Sequence, residues 1–304
     1  MKERFVLFAL TYRQRQSKGQ RRKFIIAAAQ TLADLGYKVE THLFKIGFKS
    51  GFNLIAGSLE NAKTVFITAF DTKELILNSK AKYYLFNREK NRDLLRKNLV
   101  IYLLLSLPVM VATIYILQQA IAAEGLKRIV FFVLSVFTAL LATRISRGWP
   151  ANRNFQKSSA LFMMFELAAE LAAKDCCFVF TDLSLYHAIG ETMFINEHNL
   201  KAKKVVYIES CCNSDKLLCG YSDNISQKNL TTIKSLSAFD YLCQQDVPQA
   251  KSGGFEYYFV SEFVTDNGNE PYLANFCSRK DTNLNEASFN KAKTTIKELY
   301  RALS

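Results

Sequence analysis

The sequence predicts an α/β protein whose sheet is covered by helices on both faces and whose chain is interrupted near its middle by a two-helix transmembrane hairpin. Two observations predict this class. Segments with strand-like and helix-like apolar spacing alternate along the 304 residues, which is typical of an α/β sheet. Two long apolar runs interrupt this alternation, and each is long enough to cross a bilayer as a helix.

The part before the hairpin contains one predicted helix and several predicted strands. Residues 4–10 could form a first strand or begin a helix, and the sequence favours neither. A helix is predicted over residues 20–35, where apolar residues recur at helical spacing and Gly36 follows as a stop signal. Short runs rich in β-forming residues predict strands over residues 39–44, 52–56 and 64–70.

The part after the hairpin shows the same alternation. The predicted helices cover residues 158–173 and 286–303, and the predicted strands cover residues 176–181, 204–209 and 256–260. Because these segments continue the pattern of the first part, we expect both parts to build one domain.

The predicted hairpin begins with Leu99–Leu117, a run of 19 residues without a charge. As a helix it is about 29 Å long, close to the ~30 Å hydrocarbon core of a bilayer. Pro108 is tolerable in a membrane helix. The second run covers residues 129–145, and residues 118–125 form the predicted turn. The alternative is a pair of helices in a soluble protein, buried in its core or at a dimer interface.

The positive charge lies on both flanks of the predicted hairpin rather than in its turn. The formal net charge is +13. Basic residues precede the first span and follow the second, whereas the connecting segment carries only Lys127 and Arg128. The positive-inside rule then predicts cytoplasmic flanks and an outer turn. The predicted organisation is therefore a first part of the cytoplasmic domain (residues 1–97), the hairpin (98–146) and the second part (147–304).

Several other classes of protein are disfavoured. No nucleic-acid-binding motif is found. The position of the basic residues next to membrane lipid explains the basic excess without nucleic acid. The first residues lack a long apolar core and cleavage site, so we expect no secretory signal. The seven cysteines are an odd number and include two vicinal pairs, which disfavours a disulfide framework. No CxxC pair with a matching His or Cys partner is present, which disfavours a structural zinc site.

Five short motifs, in order, resemble the M28 family of zinc aminopeptidases. They are Gly36-Tyr-Lys-Val-Glu40 with Asn53-Leu-Ile-Ala56, then Thr64-Val-Phe-Ile-Thr-Ala-Phe-Asp-Thr72, Pro150-Ala-Asn-Arg-Asn154, Phe178-Val-Phe-Thr-Asp-Leu-Ser-Leu-Tyr-His-Ala-Ile-Gly190 and Asn275-Phe-Cys-Ser-Arg-Lys-Asp-Thr282. The second resembles a strand ending in A-H-Y-D-T, the third resembles G-A-N-D-N-A-S-G, and the fourth resembles F-x-F-x-D-N-E-E-x-G-L-x-G. The resemblance implies a mixed β-sheet flanked by helices and a site that holds two zinc ions.

The resemblance also implies where the metal-binding residues should lie. A di-zinc site needs about five His, Asp or Glu ligands and a carboxylate base. The five ligand positions fall on Ala69, Arg153, Leu185, Glu209 and Cys277, and the position of the catalytic base falls on Ser184. Only Glu209 and Cys277 keep ligating chemistry. Asp71, which in the family orients a ligand, is retained.

The framework around these positions is kept although the ligands are lost. Matching residues are Asp71, Thr72, Asn152, Asn154, Asp182, Gly190, Asp281 and Thr282. The sequence therefore predicts a membrane-anchored, M28-like protein without peptidase activity or cofactor. Its expected role is binding or scaffolding, with a peptide or a membrane protein as partner. The alternative is an active metallo-aminopeptidase or other hydrolase with an altered zinc site.

Three further possibilities concern the altered site. Arg153 could pair with Asp71 or Glu209, so that its charge takes the place of the lost metal ions. His187 and Glu191 are spaced to bind one metal weakly if they lie on a helix. Cys277 with His187 could act as a nucleophile and base, although a buried, inert cysteine is the simpler interpretation.

Overall fold

The structure, a computed structural model, describes residues 6–47, 49–72, 74–78, 80–149, 151, 154–171, 175–184, 188–244, 254–265, 270–281 and 284–303. The helices within these ranges are a π-helical segment (Val6–Thr11), α1 (Lys18–Asp34), α2 (Arg88–Ala122), α3 (Gly125–Ser146), α4 (Phe155–Glu170), α5 (Ile189–Glu197), α6 (Gln227–Ser235) and α7 (Glu286–Leu303). The strands are β1 (Val39–Ile46), β2 (Lys49–Ala56), β3 (Thr64–Ala69), β4 (Lys82–Tyr84), β5 (Cys176–Thr181), β6 (Lys204–Ile208), β7 (Leu217–Tyr221), β8 (Tyr241–Gln244), β9 (Glu256–Glu262), β10 (Val264–Thr265) and β11 (Pro271–Ala274).

A mixed sheet of eight strands forms the centre of the described domain, in the order β1-β2-β5-β3-β6-β9-β7-β8. Strands β5, β3, β6 and β9 run parallel to one another, and β2 and β7 join this block in the antiparallel direction. Strands β10, β11 and β4 form a separate small sheet. The predicted fold class, a mixed α/β sheet flanked by helices, is confirmed.

Both faces of the large sheet are covered, as the near-continuous burial of its central strands requires. In β3, Phe66 faces a core that contains residues of α1, α4 and α7. The alternate residues Val65 and Ile67 face a second core that contains Phe194 of α5. Because successive side chains of a strand point to opposite faces, this one strand contributes to both cores.

The sheet joins the two parts of the chain that the hairpin separates. Strand β3, from the first part, lies between β5 and β6, from the second part, with Thr64 opposite Cys176 and Lys204. The two parts are therefore not independently folding units, because removal of either one would leave the centre of the sheet unpaired.

Helices α2 and α3 pack against each other and form the hairpin. Both are long and apolar enough to cross a membrane, and only 11% of each apolar window is buried. A core helix of a soluble protein is mostly buried, so this exposure favours a lipid environment. Helix α2 continues to Ala122, so the turn is only Ala123–Glu124 and is shorter than the predicted turn over residues 118–125.

Local sequence signals explain the boundaries of some helices and strands, whereas other boundaries differ from the prediction. Helix α1 begins at a capping box in which the Ser17 hydroxyl accepts from the Gln20 amide and the Gln20 side chain accepts from the Ser17 amide. Residues 6–11 form a π-helical segment, the helix alternative for the first residues. Helix α4 begins at Phe155, three residues before the predicted start. The short elements α5, α6, β4, β7, β8, β10 and β11 were not predicted.

Gly190 in the first turn of α5 gives a test of this packing. A Cβ atom there would lie 2.1 Å from the Asp182 carbonyl oxygen and 2.8 Å from Asn53 Oδ1. We expect Gly190→Ala to reduce the free energy of unfolding by about 1–3 kcal/mol, the usual cost of overpacking, measured by thermal unfolding in detergent. Gly19→Ala is the matched control, because nothing lies within 4 Å of its Cβ position. Equal unfolding temperatures for the two variants would contradict the described contact of α5 with the sheet.

Candidate functional site

The candidate site lies at the carboxyl ends of the parallel strands, where α/β sheets bind ligands. Asp71 follows β3, Asp182 follows β5 and Glu209 follows β6. All three carboxylates are buried. Parallel neighbouring strands end at one edge of the sheet, so the fold brings these residues, which are distant in sequence, into one region.

The first of these carboxylates contacts the residue at the position of the family's base. Asp71 Oδ1 accepts a hydrogen bond of 3.0 Å from the Ser184 amide. The Ser184 hydroxyl donates to the Asp182 carbonyl oxygen and accepts from the Glu191 amide. The Ser184 side chain therefore supports the start of α5, and a hydroxyl engaged in this way has no role as a general base.

Glu209 forms a buried ion pair with Lys157, a residue that sequence reasoning missed. The distance from Lys157 Nζ to Glu209 Oε2 is 2.9 Å, and the two side chains are 0% and 6% exposed. Lys157 Nζ also lies 5.7 Å from the centre of the Tyr207 ring. Lys157 lies on α4 in the motif that starts at Pro150, and counting along G-A-N-D-N-A-S-G places it where the family has its last glycine. The sequence signal that could have identified Lys157 was a charged residue at a position where the family has glycine.

The other two carboxylates at this edge also have basic neighbours. Arg21 pairs with Asp182 at 2.8 Å. The pKa of Asp182 is raised to about 6 by burial, against the opposing effect of the Arg21 charge. Arg15 is fully buried, and its pKa is lowered to about 9 by burial, while the charge of Asp71 acts to raise it.

Arg15 is held in place by backbone and side-chain acceptors. Its guanidinium group donates to the carbonyl oxygens of Tyr12 and Phe70 and to the Ser158 hydroxyl. Buried charges are stable when paired and hydrogen-bonded. The edge of the sheet thus carries three carboxylates and three basic side chains, Arg15, Arg21 and Lys157, from elements outside the sheet.

Cys277 lies in a buried turn near this ion pair. Its amide donates to Asp281 Oδ2 at 3.2 Å, and its carbonyl oxygen accepts from the Ile76 amide at 3.0 Å. Burial raises the pKa of the Cys277 thiol well above its ordinary value. The thiolate is the form that attacks or binds metal, so this cysteine is inert at neutral pH.

The carboxylate of Asp281 also lies near this turn. It accepts from the amides of Gln156 and Cys277, and burial raises its pKa to about 7. These hydrogen bonds therefore join the start of α4 to the Cys277 turn.

The residues present do not fit a zinc ion. Ala69 has no donor atom, Glu209 is engaged with Lys157, and Cys277 is held as a thiol. Within the described ranges, no group of three or more His, Cys, Asp or Glu residues is arranged to hold a metal. Arg153, Leu185 and His187 lie outside those ranges, and neither Arg153 nor Leu185 has a side chain that ligates zinc.

The three further possibilities stand as follows. Lys157 lies beside Glu209 and supplies a positive charge there. The pairing of Arg153 with Asp71 or Glu209 stays a prediction, because Arg153 is outside the described residues. Glu191 accepts from the Tyr257 hydroxyl at 2.7 Å, so this carboxylate is in use within the core. The pairs of His187 with Glu191 or Cys277 remain untested predictions, because His187 is outside the described residues.

Neither a protein-family model nor a curated protein matches the sequence. Solved structures do match it. Glutaminyl cyclase from Porphyromonas gingivalis gives a TM-score of 0.59 at 11% identity, over 98% of this chain and 95% of that one. Glutaminyl cyclase from Bacteroides thetaiotaomicron gives 0.58 at 10% identity, over 97% and 94%. A candidate zinc-dependent exopeptidase from Bacteroides vulgatus gives 0.51 at 10% identity, over 98% and 93%. These matches confirm the fold that the M28 resemblance implied.

The Lys157–Glu209 pair makes a measurable prediction. Lys157→Met leaves the Glu209 charge buried without a partner, so we expect a loss of about 3–5 kcal/mol in unfolding free energy. The double variant Lys157→Met/Glu209→Gln removes both charges and is expected to recover most of that loss, in a double-mutant cycle measured by thermal unfolding.

The control is Lys228→Met on α6, because Lys228 is exposed and its removal should leave the unfolding temperature unchanged. If Lys157→Met and Lys228→Met unfold at the same temperature, Lys157 is not the counter-charge of Glu209.

Proposed function

We propose that this chain is a membrane-anchored protein of the M28 peptidase and glutaminyl cyclase fold that does not catalyse hydrolysis and acts as a binding or scaffolding module. The observation that carries the proposal is the buried ion pair between Lys157 and Glu209. An ammonium group on the retained carboxylate supplies the positive charge that a metal ion supplies in a zinc peptidase. It has no open coordination position and cannot activate a water molecule.

The loss of the base supports the same proposal. A hydrolase of this kind needs a carboxylate that takes the proton of the attacking water. The corresponding residue is Ser184, whose hydroxyl is hydrogen-bonded within the fold. Restoring zinc alone would therefore not restore the reaction.

The hairpin supports a membrane location and directs the search for a partner. The apolar surfaces of α2 and α3 are mostly exposed, and basic residues flank the hairpin on the side of the domain. A domain held at the cytoplasmic face meets membrane proteins and their cytoplasmic segments most often, because anchoring raises its effective concentration there. A peptide segment of such a protein is the partner class that this location favours.

Metal content is the direct test. The detergent-purified protein is dialysed, offered excess zinc and analysed for bound metal, and we expect less than about 0.1 equivalents, because affinity needs several deprotonated ligands. Cys243→Ser is the control for adventitious binding, because Cys243 is the only one of the seven cysteines that is not buried.

One or two equivalents of zinc that are lost in Glu209→Ala but kept in Cys243→Ser would overturn the proposal. The chain would then be an active metallo-aminopeptidase or another hydrolase with an altered site. Peptidase and glutaminyl cyclase assays of the same preparation would identify the reaction.

The orientation of the hairpin is tested by cysteine labelling. Glu124 lies in the turn between α2 and α3. We expect a Glu124→Cys variant to react with a membrane-impermeant maleimide in intact cells, because the positive-inside rule places the turn outside. The native Cys243 on the domain serves as the internal control and should react only after permeabilisation. Labelling of Cys243 in intact cells, with protection of the turn, would show the opposite orientation.

A further inference from the structure

Helix α2 carries a polar face that belongs to the domain rather than to the membrane. Asn91, Asn98 and Tyr102 are 9%, 2% and 1% exposed. They are seven and four residues apart, so they lie on one face of the helix, about two turns and one turn from one another. The helix continues without a break into the apolar run that starts at Leu99, so this face and the part of the span before Pro108 form one continuous helical segment.

Asn98 and Tyr102 bind the segment that follows Asp71, residues 74–78, here called the strap. Asn98 Nδ2 and the Tyr102 hydroxyl both donate to the Leu75 carbonyl oxygen, at 3.2 and 2.9 Å. Asn98 Oδ1 accepts from the Leu77 amide at 3.1 Å. The middle of the strap is therefore hydrogen-bonded directly to the first membrane helix.

The chain that returns from the membrane holds the same strap from another side. The Leu75 amide donates to the Trp149 carbonyl oxygen at 2.7 Å. Gly148, before it, has a φ of +77°, and a Cβ atom there would lie 2.7 Å from Glu74 Cβ and 3.1 Å from the Tyr102 ring. Only glycine fits this close approach. Both ends of the hairpin thus contact the strap.

Two connections link α2 to the Cys277 turn, residues 275–278. One runs through the strap and the other runs through β4 and β11. The Ile76 amide of the strap donates to the Cys277 carbonyl oxygen. In the second connection, the side chain of Asn91 pairs with both backbone groups of Tyr84 in β4. β4 in turn pairs with β11, which leads directly into the turn.

The Cys277 turn itself is conformationally demanding. Cys277 has a φ of +52°, which is unfavourable for a residue other than glycine and persists only where neighbouring contacts hold it. Asn275, with a φ of +61°, belongs to a residue type that tolerates this conformation. The hydrogen bonds that come from the strap and from Asp281 are such contacts.

We propose that the cytoplasmic end of the hairpin is a wall of the former active site, and that the position of α2 in the bilayer controls the strap and the Cys277 turn. A rigid helix that changes its tilt must displace the groups bound to its cytoplasmic end, and packed contacts respond by switching between arrangements. The hairpin is then a sensor of the bilayer. The identification of a former active site and any effect on a bound partner rest on the proposed function, whereas the coupling of α2 to the strap needs neither.

Hydrogen exchange of the full-length protein in nanodiscs tests this coupling. Two phosphatidylcholines with short and long acyl chains provide thin and thick bilayers, which change helix tilt. We expect the amides of Ile76 and Leu77 to exchange about fivefold faster in one bilayer than in the other, the ratio for one lost hydrogen bond. Amides of β3 should exchange at the same rate in both.

Two variants separate coupling from loss of structure. Tyr102→Phe removes only the hydroxyl that binds Leu75, and Asn98→Ala removes the amide that binds both Leu75 and Leu77. Asn98→Ala should make the exchange of the strap and the Cys277 turn fast and independent of bilayer thickness. Tyr102→Phe leaves both Asn98 bonds in place and should reduce the thickness dependence in part. Thr113→Val is the matched control on the same helix, because its hydroxyl bonds to Val109 within α2, and it should keep the wild-type dependence.

Exchange of the strap that is the same in thin and thick bilayers, or a thickness dependence that survives in both Tyr102→Phe and Asn98→Ala, would overturn the coupling. Zinc binding in the metal assay would overturn the proposed function and leave this result untouched, so the two failures are distinguishable.

Discussion

The pairing of β3 with β5 and β6 is the constraint on which the rest of the structure depends. Within the described sheet, β3 is the only strand of the first part that pairs in parallel with strands of the second part, and it is buried on both faces. Its backbone groups and apolar side chains are satisfied only after the chain has left the domain and returned. A hairpin of two spans meets this requirement and a single span does not. In the proposed membrane location, both halves of the sheet therefore lie on the same side of the bilayer.

The same edge of the sheet shows how basic side chains can hold buried carboxylates together. Carboxylates gathered at the ends of parallel strands repel one another unless positive charge is supplied. Here the charge comes from Lys157, Arg21 and Arg15, which lie on α4, on α1 and just before α1. The ion pair of Lys157 with Glu209 and that of Arg21 with Asp182 preserve the framework that the M28 resemblance identifies. The hairpin extends this framework, because its end next to the domain supports the strap beyond Asp71.

Much of the fold was predictable because its signals are local. The apolar spacing of residues 18–34, the β-rich runs of the central strands and the uncharged run of the first span all occur within short windows. The site residues Asp71, Ser184, Glu209 and Cys277 came from ordered motifs. Lys157, Arg15 and Arg21 were missed because the side chains to which they bond lie 52 or more residues away, and a basic stretch normally indicates a solvated surface. Short elements such as α5 and β8 were missed because tertiary contacts, rather than periodicity, stabilise them.

The buried Lys157–Glu209 pair also determines how a metal centre could be rebuilt by protein engineering. Replacement of Lys157 by glycine alone opens a cavity next to an isolated carboxylate, which is among the most costly changes in a protein interior. Introduction of a histidine at Ala69 alone leaves Glu209 engaged with Lys157 and gives a metal no vacant position on that carboxylate. The lysine must be removed in the same step as new ligands are added, so intermediate variants are expected to be less stable than either the present protein or the finished metalloprotein.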